Sequence, residues 1–320
     1  MRRCIVHLGC EKTGTTSVQA HFARNRAGYR AAGVLYPKTG CDPRGSVHKR
    51  ISGAIRGEPP EVEAEVFEAL AAEVAGAGGC GTVVLSSEFF HSQFRRHARI
   101  AALRDALGAI FDRVELILYV RRQDRMALSM HSTALKGGWT AEKNPLSVRK
   151  GKGDYYFDFA AIADNWAGVF GRDALKVRIY DRRLLLNGSI VDDFCNMAAV
   201  PRLEGADEPV LNASPSWQTL EVIRLFNAGG CREDDALRQM LWRRLSEQAG
   251  ERMPLLSRAQ AREFLARFAN SNERLAREYL GMDAATPFDD DFSDYPEERP
   301  QLRPAEIVER LASCLARRPA

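Results

Sequence analysis

Short runs of consecutive apolar residues alternate with longer stretches whose apolar positions recur every three or four residues. The pattern holds through the first two thirds of the chain. Cys4-Ile5-Val6-His7-Leu8 is one such run, ending at Gly9, and Val34-Leu35-Tyr36-Pro37 is a second, closed by proline. Thr82-Val83-Val84-Leu85, Val114 to Val120 and Leu175 to Tyr180 have the length and flanking turn residues of further strands. Between them, Val18, Phe22 and Tyr29 put one apolar face on a helix from Thr15 to about Ala32. Further helices are expected over His48 to Ile55, Glu61 to Val74, Ile100 to Phe111, Arg122 to Leu135, Phe159 to Phe170 and Ser189 to Ala199.

Runs that are apolar at every position suit strands covered on both faces, and strands separated by helices pair in parallel. The pattern therefore predicts an α/β fold, a central parallel sheet flanked by helices, with residues 1–200 as its core. Pro201 to Pro215 is rich in turn residues, and residues 201–320 read as a mostly helical C-terminal part of the same single domain. Gly137 to Asp154 reads as a glycine- and lysine-rich loop, and Asp289-Asp290-Asp291 as a solvated one. There is no internal repeat.

Composition narrows the class. With 45% hydrophobic and 28% charged residues, the chain has the balance of a soluble globular enzyme. A net charge of +4 is too small to point to a nucleic-acid partner, and no basic run is interleaved with aromatics. The seven cysteines, Cys4, Cys10, Cys41, Cys80, Cys195, Cys231 and Cys314, are scattered and form no C-x-x-C pair. That argues against a disulfide framework or a zinc site and for reduced thiols in the cytoplasm, with Cys10 a small loop filler. Arg2 and Arg3 precede an apolar stretch too short for a signal peptide, and Val114 to Val120 is too short to cross a bilayer. A cytoplasmic protein without a transmembrane segment is expected, its oligomeric state open.

The strongest chemical signal is Gly9-Cys10-Glu11-Lys12-Thr13-Gly14-Thr15-Thr16, between the first strand and the first helix. Amide N–H groups at a helix start are unpaired and carry partial positive charge, so they attract phosphate. Glycines let the backbone come close to an anion, Lys12 adds a point charge, and Thr13, Thr15 and Thr16 add hydroxyl donors. A Walker A loop places its lysine directly after the last glycine. Here Lys12 precedes Gly14 by two positions, and no lysine follows that glycine.

The order K-T-G-T-T instead resembles the 5′-phosphosulfate loop of the sulfotransferases that use 3′-phosphoadenosine-5′-phosphosulfate (PAPS). A second stretch carries the same resemblance: Leu118-Tyr119-Val120-Arg121-Arg122-Gln123-Asp124, with Ser129 eight residues after Arg121. In that family a strand-terminal arginine and a serine at this spacing hold the 3′-phosphate, and a guanidinium fork suits the task. Val177-Arg178-Ile179-Tyr180-Asp181 to Leu184, followed by Asp193-Phe194, is similar to a further, mainly structural stretch of the family. The resemblance covers about residues 4–200. It implies a P-loop-like sulfotransferase fold, PAPS as cofactor with the bisphosphate PAP as product, and a phosphosulfate site built from Glu11, Lys12, Thr13, Gly14, Thr15 and Thr16. It also places Lys12 near the bridging oxygen, where it would stabilise the leaving phosphate. Asn212 and Ser214 are candidates to approach the cofactor from a loop.

Sulfuryl transfer also needs a base. Glu88 follows the strand through Ser86-Ser87, at the strand end where sites of open α/β sheets collect, and His48 and His91 are the alternatives. No metal is required, and no clustered His/Cys/Asp set offers to bind one. The chain lacks the K-T-H-L-P and R-K-G-x-x-G-D-W-K stretches of the cytosolic small-molecule enzymes. Its acceptor therefore reads as a carbohydrate or glycolipid, as in the Golgi-type and bacterial relatives. Two other classes stay open at this point: a P-loop kinase using ATP and magnesium, and a non-catalytic anion- or glycan-binding module.

Overall fold

A computed structural model describes residues 1–57, 60–147, 154–203, 215–230, 234–251 and 255–316. Asn212 and Ser214, the Gly151-Lys152-Gly153 stretch and Cys231 lie outside the described residues. The chain forms two compact units, each assembled from three stretches of sequence. The first comprises Met1–Arg121, Asp154–Leu211 and Ala269–Phe288; the second comprises Arg122–Gly153, Asn212–Phe268 and Asp289–Ala320.

The first unit holds a five-stranded sheet. Its strands are β1 (Arg3–His7), β2 (Val34–Leu35), β3 (Thr82–Ser86), β4 (Arg113–Val120) and β5 (Leu175–Ile179), in the order β2-β3-β1-β4-β5. Every pairing is parallel; Ile5 faces Val84 on one side and Glu115 on the other. β1, β2, β3 and most of β4 are thus covered strands, as their lack of alternation predicts, whereas β5 alternates apolar with basic residues and is only partly covered.

The connecting helices are α1 (Thr15–Arg24), α2 (Arg26–Ala31), α3 (Lys49–Gly57), α4 (Pro60–Gly76), α5 (Glu88–Gln93) and α6 (His97–Gly108). After α7 (Gln123–Lys136) come α8 (Phe159–Phe170) and α9 (Ile190–Ala198). The chain leaves β1 toward β2 on one side of the sheet and leaves β4 toward β5 on the other. Right-handed crossovers in opposite directions put their helices on opposite faces. On one face α1 and α9 close over Ile5, Val84, Ile117 and Tyr119, burying Val18, Phe22, Tyr29, Val191 and Phe194. On the other, α6 and α8 pack on each other and on β4. The carboxyl ends of β1 and β4 accordingly flank the crevice where strand order reverses, the place where open α/β sheets bind ligands.

The helix expected over Thr15 to Ala32 is two helices. Asn25 interrupts it, its side-chain amide donating to the His21 carbonyl at 2.8 Å in competition with the backbone ladder. α5, a single turn and a half, is an element that periodicity did not resolve.

The second unit is helical: α7, α10 (Trp217–Ala228), α11 (Asp235–Ser246), α12 (Arg258–Ala266) and α14 (Pro304–Ala316). Its apolar interior includes Leu135, Val222, Ile223, Leu241 and Leu245. The acidic run at 289–291 is not simply a solvated loop. Arg122 donates to the Asp289 carboxylate and carbonyl and to the Asp291 carbonyl, while stacking on Phe292 at 4.4 Å. The same guanidinium pairs with Asp124, which also accepts from the Tyr295 hydroxyl. The short α13 (Ala269–Arg274) belongs to the first unit.

Candidate active site at the carboxyl edge of the sheet

The loop from Gly9 to Thr16 is shaped by residues in the left-handed region: Gly9 at φ 44°, Lys12 at φ 69° and Gly14 at φ 77°. At Gly9 a side chain is also excluded by space, since a Cβ there would lie 2.4 Å from the Ser87 carbonyl oxygen. At Gly14 it would meet Ile190 and Tyr180 at 3.0 Å. Lys12 has no such exemption, and a lysine held at positive φ marks a turn over-determined by its surroundings. Left-handed residues next to a helix start turn successive N–H groups toward one point, which is how backbone makes an anion cradle.

The threonines act differently from one another. The hydroxyls of Thr13 and Thr15 are buried and both donate to the Cys10 carbonyl, at 2.6 and 3.1 Å. They pin the loop from within, where the reading from sequence made them donors to a bound anion. Thr16, in the first turn of α1, is exposed. Cys10 is fully buried, 3.6 Å from His91 Nε2, and burial pushes its thiol well above the ordinary range, so it stays protonated.

Arg121 is the first residue after β4. Its Nη1 donates to the Lys12 carbonyl at 3.0 Å, and its guanidinium lies 5.8 Å from the centre of the Tyr180 ring, just past β5. Ser129 is half-buried on α7, in the second unit, where its carbonyl accepts from the Thr133 hydroxyl. Below the crevice Asp193 is buried and fully engaged. It accepts from the Tyr119 hydroxyl, the Arg178 guanidinium and the Leu186 amide, which ties β4, β5 and α9 together.

Glu88 opens α5 behind the N-cap Ser87, half-buried. Burial raises its carboxyl above the usual range, with the charges of Glu11 and Asp42 adding to the rise. Its Oε2 accepts from Gln19 Nε2 at 3.3 Å. Its geometry leaves the role of base open.

His48 is a strut. Its Nδ1 accepts from the Ser86 amide at 3.1 Å, which fixes the proton on Nε2, and that N–H donates to the Pro37 carbonyl. Both ring nitrogens are committed and burial lowers its pKa to about 4, so it has no place for a substrate proton. His91 is 2% exposed, packed edge-on against Tyr156 at 4.7 Å and beside the Cys10 thiol, inside the wall of the site.

Two contributors were not singled out from sequence. Gln19 is buried on α1, and His7, the last residue of β1, is buried with Nδ1 2.9 Å from Ser86 Oγ. The available signal was a polar residue inside an otherwise apolar run or face. Among the described residues no group of His, Cys, Asp and Glu is arranged to hold a metal ion, and no helix is long and apolar enough to cross a membrane.

No protein-family model matches the chain. An uncharacterized protein of Archaeoglobus fulgidus is 27% identical over 205 residues, which is 61% of this chain and 54% of that protein. The chain thus matches about half the length of that curated relative. The crystal structure of a sulfotransferase from Alicyclobacillus acidocaldarius aligns with a TM-score of 0.42 at 14% identity, covering 76% of this chain and 99% of that one.

Proposed function

We propose that this chain is a PAPS-dependent sulfotransferase that moves a sulfuryl group to a hydroxyl or amine of an acceptor, a carbohydrate or glycolipid. The observation that carries the reading is the hydrogen bond from Arg121 to the Lys12 carbonyl. It joins a lysine-bearing anion loop after β1 to an arginine after β4, on neighbouring strands, where strand order reverses. A ligand with two separate phosphate groups is what such a pair of anion sites suits.

In this reading the N–H groups at the start of α1 hold the 5′-phosphosulfate, with the exposed Thr16 hydroxyl beside them, and Arg121 binds the 3′-phosphate. The acceptor oxygen or nitrogen forms a bond to sulfur while the bond from sulfur to the bridging oxygen breaks. The electron pair of that bond stays with the phosphate, where Lys12 offsets the growing charge. The acceptor proton passes to Glu88, whose raised pKa makes its carboxylate a better proton acceptor than an ordinary one.

Calorimetric titration with 3′,5′-adenosine bisphosphate and with ATP, in chelator without magnesium, tests this. Clear preference for the bisphosphate is expected, weakened about tenfold to a hundredfold in Lys12→Ala and in Arg121→Ala. Ser129→Ala in the same titration reads the role that the resemblance gives that residue. If the bisphosphate does not bind and ATP with added magnesium does, the kinase reading replaces this one.

A further inference from the structure

Gln19 lies one turn beyond Thr15 on α1, 2% exposed, beside the buried Thr15, Val18 and Phe22. A primary amide buried there is costly unless it is hydrogen-bonded. Its Nε2 reaches two acceptors, Ser86 Oγ at 3.2 Å and Glu88 Oε2 at 3.3 Å. A carboxylate only accepts, so the nitrogen of the amide must face Glu88, and its two hydrogens serve both partners in one orientation. Ser86 is itself held from the far side by His7 Nδ1 at 2.9 Å and through its backbone by His48. His7 is wholly buried between Tyr119 and Phe194, with no hydrogen-bond partner on Nε2 among the described residues, and burial keeps its ring neutral. Hydrogen bonds thus run from β1 through the end of β3 and α1 to α5.

We propose that Gln19 is a positioning residue: its amide fixes one oxygen of the Glu88 carboxylate, so that proton transfer falls to the other. The helix whose N-terminus forms the anion loop then also sets where the base stands, and the separation of leaving group from base is fixed by one rigid element. The role rests on Glu88 being the base.

Burial raises the Glu88 pKa, and the charged groups acting on it, Glu11 from the loop and Asp42 from the segment before α3, add to the rise; its own backbone N–H and, after that, the Gln19 hydrogen bond lower it. The test is a carbon-13 NMR titration of the full chain labelled at glutamate side-chain carboxyls, with Glu88→Gln identifying the signal by its loss. In Gln19→Met, which keeps length and packing, the Glu88 midpoint is expected to rise by about one pH unit. In Gln19→Glu it rises further, because two carboxyls then share the site. A midpoint unmoved in folded Gln19→Met, or in Gln19→Glu should the methionine variant not fold, overturns the proposal. Bisphosphate affinity of the parent reads the sulfotransferase assignment separately. If it is absent while the midpoint still moves, that assignment falls and the coupling of Gln19 to Glu88 stands.

Discussion

At the scale of single residues, the role of base proposed for Glu88 sets function against stability. Its folded pKa lies above its unfolded value, so the native state binds that proton more tightly. The stability this contributes is fully present below the unfolded pKa and is lost as pH rises through the folded one. Glu88→Gln does not titrate, and it removes a charge that burial, Glu11 and Asp42 all disfavour. The variant should therefore melt at a higher temperature than the parent at pH 8, with a smaller difference at pH 4, while product formation is lost. A Glu88→Gln protein less stable than its parent at pH 8 would contradict this.

The same scale shows what the sequence made legible in the site. The loop and Arg121 are local motifs, readable wherever strand, turn and helix follow one another. The inward turn of the Thr13 and Thr15 hydroxyls, the double commitment of His48 and the Gln19 contact to Glu88 are not. Each depends on which distant backbone or side chain the fold brings near, and residue types at a spacing do not carry that.

Among the elements, the inner parallel strands were the easiest to read, because a strand buried on both faces has a nearly unbroken apolar run; β5, with Lys176 and Arg178, does not. The helix break at Asn25 and the short α5 escaped because each turns on one side chain competing with or capping the backbone. The junction between the end of β3 and the segment before α3 has a pH dependence of its own. His48 titrates at about 4 in the native protein against a usual value of 6.5, so the unfolded chain binds the proton first. Stability supplied by the neutral ring is complete above pH 6.5 and is lost as pH falls toward 4, amounting to about 3 kcal/mol. Thermal melts between pH 7 and 4 should show the parent losing stability more steeply than His48→Gln. Equal slopes would remove His48 as the cause. His7, with its pKa lowered to about 3, leaves a residual dependence in both proteins.

For the whole molecule, the distribution of the first unit along the chain decides what can be cut. Residues 269–288 belong to the same unit as the sheet. They supply the buried Leu275 and Ala276, a Tyr279 hydroxyl on Asp164 and a Ser271 hydroxyl on Asp158 at the start of α8. A chain ending at residue 200 lacks all of these, and it should show neither a cooperative melt nor bisphosphate binding. A cooperatively folded, bisphosphate-binding fragment 1–200 would show that the later segment is dispensable.

The central place of β1 also has a consequence in time. It is the first strand to be synthesised, yet both of its partners, β3 and β4, come later, and Lys12 waits for Arg121, 109 positions downstream. At about 5–20 residues per second, on the order of ten seconds pass between the emergence of β1 and that of β4. Through that interval the nascent chain carries β1 without its partner β4, and the loop from Gly9 to Thr16 behind it without its Arg121 contact. The contact that holds the Lys12 loop against Arg121 can therefore close only after β4 has been made, although the loop's own strand lies at the centre of the sheet.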